Sequence, residues 1–302
     1  MTDPNATDDV EGSNRSRPTT RRSLLTSGAA VAVSTGIGTV GTVSARADDP
    51  CPSSPTEDPS EEAPTTPDED NQDPPRRESL TLQSNTAYET EVFITDAARP
   101  GPTAMVVGGM DGNEQAGIEA ASRISKWKPE RGTLVVLPEA DAVAVDQRTY
   151  NSPRGNLNRQ FPANRTPTTP LARELWNLIT EIDPTVVIDF HSSKGIWGSD
   201  LGPDGYGQAI YPSAVGNSRR IAADTAEFMN DEYVDGAYPS AYRVTVGNTL
   251  RGNKPKLMHK VAGDLERPGY LTEVTRYDTS LATRIEWTTA MGARLLRAHG
   301  IR

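Results

Sequence analysis

The chain has 302 residues, enough for one large domain or two small ones, and a formal net charge of −10. Residues 48–78 hold 2 basic and 11 acidic residues, whereas residues 79–302 hold 24 basic and 26 acidic residues and are nearly neutral. Because nucleic acid requires a basic surface and anionic lipid repels an acidic tether, we expect no nucleic-acid partner and no stable membrane partner.

Residues 1–47 have the pattern of an export signal. Arg21 and Arg22 precede a Ser-Leu-Leu sequence, which is typical of the twin-arginine route, and an apolar stretch covers 28–43. A short membrane anchor is the alternative, but this stretch is shorter than the ~20 residues that span a bilayer. We expect cleavage near Ala47, with the twin-arginine export machinery as a partner and a secreted or extracytoplasmic protein as the product.

The next segment, residues 48–78, is predicted to be an acidic, proline-rich, disordered linker. It contains almost no large apolar side chain, so burial cannot offset the entropy lost on ordering. The chain's one cysteine, Cys51, follows an Asp-Asp-Pro sequence rather than the small and apolar residues that precede a lipid-modified cysteine. We therefore interpret Cys51 as incidental.

Residues 79–302 are predicted to form one α/β domain. Runs typical of strands cover 88–95, 103–107, 133–137, 185–190, 208–211 and 270–274, and amphipathic runs typical of helices cover 114–126, 170–182, 217–229 and 279–298. Near-continuous apolar strands such as 186–188 are typical of a sheet that is buried on both faces. The alternation predicts a three-layer fold, with a mostly parallel mixed sheet flanked by helices.

Polar clusters follow four of the predicted strands, and ligands of such sheets bind beyond the carboxyl ends of the strands. The clusters cover 108–114, 156–162, 188–193 and 271–275. Each cluster alone is weak evidence, since a Gly-Gly pair after a strand is usually only a turn and a strand-end histidine is usually structural. All four in this order indicate a functional site.

These motifs resemble the zinc carboxypeptidase clan, and particularly its succinylglutamate desuccinylase/aspartoacylase branch. That branch has Gly-Gly-x-His-Gly-x-Glu, Asn-Arg-x-Phe-Pro, a strand ending in Asp-x-His, and a late strand with a catalytic Glu. Here residues 108–114 read Gly-Gly-Met-Asp-Gly-Asn-Glu, residues 158–162 read Asn-Arg-Gln-Phe-Pro, and residues 189–191 read Asp-Phe-His. The resemblance covers essentially all of 86–300 and implies the fold of the clan.

With three histidines and one cysteine in the chain, any metal site must draw on carboxylates. The resemblance implies that Asp111, Glu114 and His191 bind the metal, although Asp111 stands where the family has a histidine. A carboxylate still binds Zn²⁺ at ~2.0–2.2 Å, but this ligand set is neutral with a divalent ion and makes a weaker Lewis acid. We expect Zn²⁺ or a harder ion such as Mn²⁺. A degenerate site that binds no metal is the alternative.

The resemblance also implies roles in hydrolysis. Glu273 corresponds to the general base, which passes a proton from the attacking water to the leaving group, and a strand-end salt bridge is its alternative role. Asn158 and Arg159 correspond to the pair that binds a substrate carboxylate. Arg148 is a candidate to stabilise the oxyanion, and Arg154 competes with it, also as a substrate-binding residue; their spacing does not decide between them.

Two functions from different classes follow. The first is a metal-dependent hydrolase that cleaves an amide next to a carboxylate, in an N-acyl amino acid or at a peptide C-terminus. The printed sequence ends after the last predicted helix, without the C-terminal β-domain that narrows the aspartoacylase pocket, so we expect room for longer substrates. The second is a non-catalytic module that binds a carboxylate or peptide after losing its metal.

Overall fold

The computed structural model describes residues 75–301, so the predicted export signal and nearly all of the predicted linker lie outside the described part of the chain. The strands are β1 (Arg76–Leu82), β2 (Thr90–Asp96), β3 (Thr103–Val107), β4 (Thr133–Leu137), β5 (Val186–Ser193), β6 (Ala209–Pro212), β7 (Thr245–Val246) and β8 (Gly269–Thr275). The α-helices are α1 (Gln115–Ile124), α2 (Ala142–Gln147), α3 (Pro170–Ile182), α4 (Ser218–Met229), α5 (Leu257–Lys260) and α6 (Leu281–Ala298).

The strands form one eight-stranded sheet in the order β1-β2-β4-β3-β5-β8-β6-β7. Its centre, β4-β3-β5-β8, is parallel. Towards one edge, β2 is antiparallel to β4 and β1 to β2; towards the other, β6 is antiparallel to β8 and parallel to β7. The predicted mostly parallel mixed sheet is therefore confirmed.

Side chains of the central strands alternate between two hydrophobic cores. On β3, Val106 packs into the core that α1, α4 and α6 cover, whereas Met105 packs into the core that α3 and α5 cover. Both side chains are fully buried. Burial of one such side chain contributes ~1.5–3 kcal/mol, so both faces of the sheet stabilise the fold and the three-layer prediction is confirmed.

Four of these elements were not predicted from the sequence: β1, α2, the two-residue strand β7 and the four-residue helix α5. The edge strand β1 includes residues 76–78, which had been assigned to the linker; its side chains are mostly exposed, so pairing with β2 rather than an apolar pattern defines it. Helix α2 has six residues and is too short to show a helical period. None of the helices in the described part of the chain is long and apolar enough to cross a membrane.

The turn after β3 lies tightly against the segment that follows β4. Gly109 has a φ of +69°, which favours glycine, and a Cβ added at Gly112 would lie 2.0 Å from the carbonyl carbon of Ala144 on α2. Glycine at position 112 therefore lets the turn pass beneath α2. This path places the residues after Gly112 at the carboxyl ends of β3 and β5.

Candidate active site

The three predicted metal ligands converge at the carboxyl end of the sheet. One ligand atom from each of Asp111, Glu114 and His191 can be chosen so that all lie within 4.8 Å of one another, and all three residues are buried. Nδ1 of His191 lies 2.8 Å from Oε2 of Glu114 and 3.2 Å from Oδ2 of Asp111. Glu114 holds the N-cap position of α1 without a side-chain capping bond, and its Oε2 instead accepts the backbone N–H of Ser192 at 2.9 Å.

The other ring nitrogen of His191, Nε2, contacts two buried polar side chains. Nε2 lies 3.0 Å from Oδ2 of Asp189 and 3.1 Å from Nδ2 of Asn158. The backbone N–H of Leu257 donates to Oδ1 of Asn158, which fixes the amide with its nitrogen towards His191, where it cannot accept. Nε2–H therefore donates to Asp189, and Nδ1 is left to face the two carboxylates.

Nδ1 of His191 faces two carboxylates, so a proton or a cation between the ring and the carboxylates stabilises the contact. Burial lowers the pKa of His191, but the charges of Asp189 and Glu114 and hydrogen bonds with Asp111 and Asp189 outweigh it and raise that pKa well above its usual value. In the metal-free protein a proton on His191 supplies the charge. Two carboxylate oxygens and an imidazole nitrogen are also a donor set that Zn²⁺ and Mn²⁺ accept, so the residues fit a divalent ion.

Glu273 lies on β8 in register with His191 on β5. Its side chain is partly exposed to the cavity, but its Oε2 is buried and has no hydrogen-bond partner among the described residues. Burial raises the pKa of Glu273 to about 8, the charges of Glu114 and Asp111 add to this rise, and His191 opposes it. Glu273 makes no ion pair with another described residue, so the structure gives no support to a strand-end salt bridge and leaves a carboxylate suited to proton transfer.

The ligand cluster opens into a cleft of ≈ 890 Å³, near the upper end of the ~300–1,000 Å³ that is usual for ligand sites. Besides the cluster and Glu273, its wall includes Tyr150, Arg159, Lys256, Trp197 and Tyr206. The rings of Trp197 and Tyr206 are stacked with their centroids 5.7 Å apart. The cleft therefore combines a charged floor with an aromatic wall.

Asn158 and Arg159, the pair predicted to bind a substrate carboxylate, have different environments in the structure. Arg159 lines the cleft, and its Nη2 donates to the Tyr150 hydroxyl at 2.9 Å. Asn158 also lines the cleft but is buried, and both ends of its amide face protein groups, Leu257 N–H and His191. Arg159 is therefore the member of the pair with donors available to a ligand.

The structure does not bring the two candidate oxyanion residues to this cleft. Arg148 is the exposed C-cap residue of α2, in the left-handed conformation, and Arg154 lies over the ring of Tyr88 at 3.9 Å and donates to Gln83 at 3.3 Å. Neither arginine lines the cleft.

Among the residues of the site that sequence reasoning missed, Asn156 and Lys256 are the two with a clear electrostatic effect on it. Asn156 donates from Nδ2 to Oδ1 of Asp111 in a short contact and to the carbonyl oxygen of Tyr150 at 3.0 Å, so it orients the unusual carboxylate. The sequence could have indicated Asn156, because it belongs to the polar cluster 156–162 that follows a predicted strand. Lys256 lies in a Lys-Pro-Lys sequence that matches no motif, and only the fold brings it to the cleft.

Comparisons with known proteins support this picture. A model of the succinylglutamate desuccinylase/aspartoacylase catalytic domain matches residues 100–196. The N-alpha-acetyl-L-2,4-diaminobutyric acid deacetylase of Halomonas elongata is 31% identical over 100 residues, which are 30% of this chain and 29% of that protein. The mDAP-bound form of Csd4, a D,L-carboxypeptidase of Helicobacter pylori, has a TM-score of 0.57 at 17% identity and covers 67% of this chain and 52% of its own. A succinylglutamate desuccinylase of a Silicibacter species has a TM-score of 0.52 at 17% identity and covers 79% of this chain and 70% of its own.

The fold is the zinc carboxypeptidase-like α/β fold, as predicted. The part of the chain that carries Asp111, Glu114 and His191 matches the succinylglutamate desuccinylase/aspartoacylase catalytic domain, which confirms the resemblance drawn from the motifs. The chain spans 29% of the length of the deacetylase and 52% of that of the D,L-carboxypeptidase. The match with the catalytic domain ends at residue 196, so the position of Glu273 rests on its register with His191.

Proposed function

We propose that the protein is a metal-dependent hydrolase that cleaves an amide next to a carboxylate. The observation that carries this proposal is the buried cluster of Asp111, Glu114 and His191 with Glu273 in register beside it. A cluster of three convergent ligands next to a carboxylate of raised pKa, at the floor of a large cleft, is the arrangement that assisted hydrolysis requires.

In this mechanism Asp111, Glu114 and His191 would hold a divalent ion, which when bound would act as a Lewis acid and increase the acidity of the attacking water. Glu273 accepts a proton from that water and returns it to the nitrogen of the leaving amine. Asp189 keeps the His191 ring in the tautomer that presents Nδ1. Arg159 binds the carboxylate of the substrate and places the neighbouring amide over the cluster.

The substrate class is proposed from the cleft and the relatives together. The deacetylase is named for an N-acetylated amino acid, and the D,L-carboxypeptidase was solved with mDAP bound. Both ligand types carry a carboxylate, and a cleft of ≈ 890 Å³ admits either an N-acyl amino acid or a short peptide. The direct test is to load chelator-treated protein separately with Zn²⁺ and Mn²⁺ and to assay N-acetyl amino acids and peptides. Protein that binds neither ion and hydrolyses neither class would refute the proposal.

The alternative, a binding module without catalysis, is favoured by one observation: Asp111 replaces a histidine and makes the ligand set more negative. Asp111→His separates the two functions, because it restores the net +1 centre of the family and a stronger Lewis acid. For a hydrolase we expect activity to rise or at least persist and the pH–rate profile to shift to lower pH. For a binding module, the parent is inactive with every metal and the variant gains zinc in an elemental analysis.

We further propose that the protein is exported by the twin-arginine machinery and acts outside the cytoplasm. The Arg21-Arg22 pair and the apolar stretch 28–43 support this proposal. This route transports folded proteins and so suits a domain that acquires its metal before export. Intact-mass analysis of protein secreted by a host with this pathway should show the loss of residues 1–47, and a mature protein that starts at Met1 would contradict it.

A further inference from the structure

We propose that Lys256 binds the carboxylate of the substrate together with Arg159. The inference rests on the proposed function in that this carboxylate belongs to the substrate of the same site. It replaces the predicted pair of Asn158 and Arg159, because the Asn158 amide faces Leu257 and His191.

The backbone on both sides of Lys256 is fastened to the segment that carries Arg159. The N–H of Phe161 donates to the carbonyl oxygen of Pro255 at 3.3 Å, and the N–H of Leu257 donates to Oδ1 of Asn158 at 3.1 Å. These two bonds lie on either side of Lys256 in one segment and of Arg159 in the other. The two cationic side chains are therefore held on one wall of the cleft by the fold itself.

A buried lysine strengthens the same attachment one turn further along. Lys260, 2% exposed, donates from Nζ to the carbonyl oxygens of Pro162 at 3.1 Å and Arg165 at 2.9 Å. Its ammonium also pairs with Asp264 and lies 4.6 Å from the ring centroid of Trp176. Charge-assisted bonds of this kind are stronger than neutral ones, so α5 is fixed against the loop that follows Arg159.

Lys256 itself is half-buried, and its ammonium makes no hydrogen bond or ion pair with another described residue. Burial, followed by the charge of Arg159, lowers the pKa of Lys256, while the charges of Glu273 and Asp111 oppose this. The two cations are therefore close enough to repel each other. An anion bound between them removes that repulsion, since it attracts both.

The anion that fits is a carboxylate of the ligand. The floor of the cleft already carries Asp111, Glu114 and Glu273, so a carboxylate approaching it is repelled unless cations offset those charges. Lys194 and Arg276 also line the cleft, but of these three cations Lys256 is the one whose charge is among the main influences on the pKa of Glu273. Among these three cations, Lys256 is thus the one that acts on the reacting end of the cleft.

Binding to a protein that cannot turn over tests the inference directly. In Glu273→Gln protein loaded with Zn²⁺, we would titrate N-acetyl-L-alanyl-L-alanine and its C-terminal amide by calorimetry. We expect the acid to bind more tightly than the amide, and Lys256→Met to weaken binding of the acid about 10–100-fold while leaving the amide unchanged. Lys256→Arg should keep most of the preference. Lys254→Met is the matched control, because Lys254 is exposed and does not line the cleft.

Several outcomes would overturn the inference. One is equal binding of acid and amide, and another is a Lys256→Met variant that keeps the preference for the acid. A third is a Lys256→Met enzyme that binds normally but shows a lower kcat, which would place Lys256 at the oxyanion instead. A wild-type protein that hydrolyses no amide, yet prefers the acid through Lys256, would refute the proposed function and leave the inference standing.

Discussion

Replacement of Glu273 by glutamine is expected to lower kcat by about 10²–10⁴-fold while metal content stays at the wild-type level. The amide occupies the same space but cannot accept the proton of the attacking water, and Glu273 is not one of the three clustered ligands. Steady-state assays measure kcat, and elemental analysis of the same protein measures the metal content. The exposed Glu286→Gln on α6 is the matched control and should leave kcat unchanged.

The same variant has a stability effect that a bystander residue would not show. In the metal-free protein the pKa of Glu273 is raised from its usual 4.5 to about 8, so the unfolded state binds fewer protons between these values. Stability of the wild type therefore falls as pH rises from about 4.5 to about 8. Glu273→Gln removes this pH dependence. In thermal unfolding of the metal-free proteins, the Tm of the variant should therefore rise relative to that of the wild type as pH increases from about 4.5 to about 8. An active parent whose kcat is unaffected by Glu273→Gln would refute the mechanism.

Replacement of His191 by alanine is expected to weaken metal binding by more than about a hundredfold. Loss of a residue that only supports a ligand already costs about 10–100-fold in affinity, and His191 supplies one of only three ligand atoms in the cluster. Competition with a chromophoric chelator measures the change. His299→Ala is the control, because His299 bonds Tyr270 at 2.9 Å and does not line the cleft. A His191→Ala protein that binds metal as tightly as its parent would show that the ligand set is wrong.

His191→Ala should also destabilise the metal-free protein. The imidazolium lies within 3.2 Å of Asp111 and Glu114 on one side and 3.0 Å from Asp189 on the other. Its removal leaves three buried carboxylates without their shared partner, and breaking one buried pair costs about 3–5 kcal/mol. Thermal unfolding of the metal-free variant, followed by circular dichroism at neutral pH, measures this loss of stability. The metal-binding assay is then repeated at a temperature at which the variant is folded, so that weaker metal binding is not a result of unfolding.

The four parallel strands at the centre were predictable because each depends on a local apolar run that is buried on both faces. The boundaries of β3 and β4 agree with the predicted ones, and β5 extends three residues beyond its prediction to Ser193. The extension contains His191, whose polar side chain interrupts the apolar pattern although its backbone continues the ladder to β8. Hydrogen bonding between strands, which a local pattern does not report, decides such ends.

The cluster of Asp111, Glu114 and His191 was predictable for a similar reason. Asp111 and Glu114 lie in one turn after β3, and His191 lies at the end of the neighbouring parallel strand, so their approach follows from strand order and chain direction. The motifs predict this approach because each motif fixes the position of its residues relative to the end of its own strand. The sequence also showed that Asp111 departs from the family pattern, and the structure adds Asn156 as the group that orients it.

The sequence by itself determined the α/β class, the central strands and the cluster of Asp111, Glu114 and His191, since all of these follow from local patterns and strand-end positions. Only the tertiary structure decided which cations face the cleft. Arg148 and Arg154 lie outside it, whereas Lys256 enters through the hydrogen bond between Leu257 and Asn158, which are 99 residues apart. The physical reason is that contacts between segments far apart in the sequence fix the position of the loop that carries a long charged side chain. The residue spacing within a single motif contains no information about such contacts.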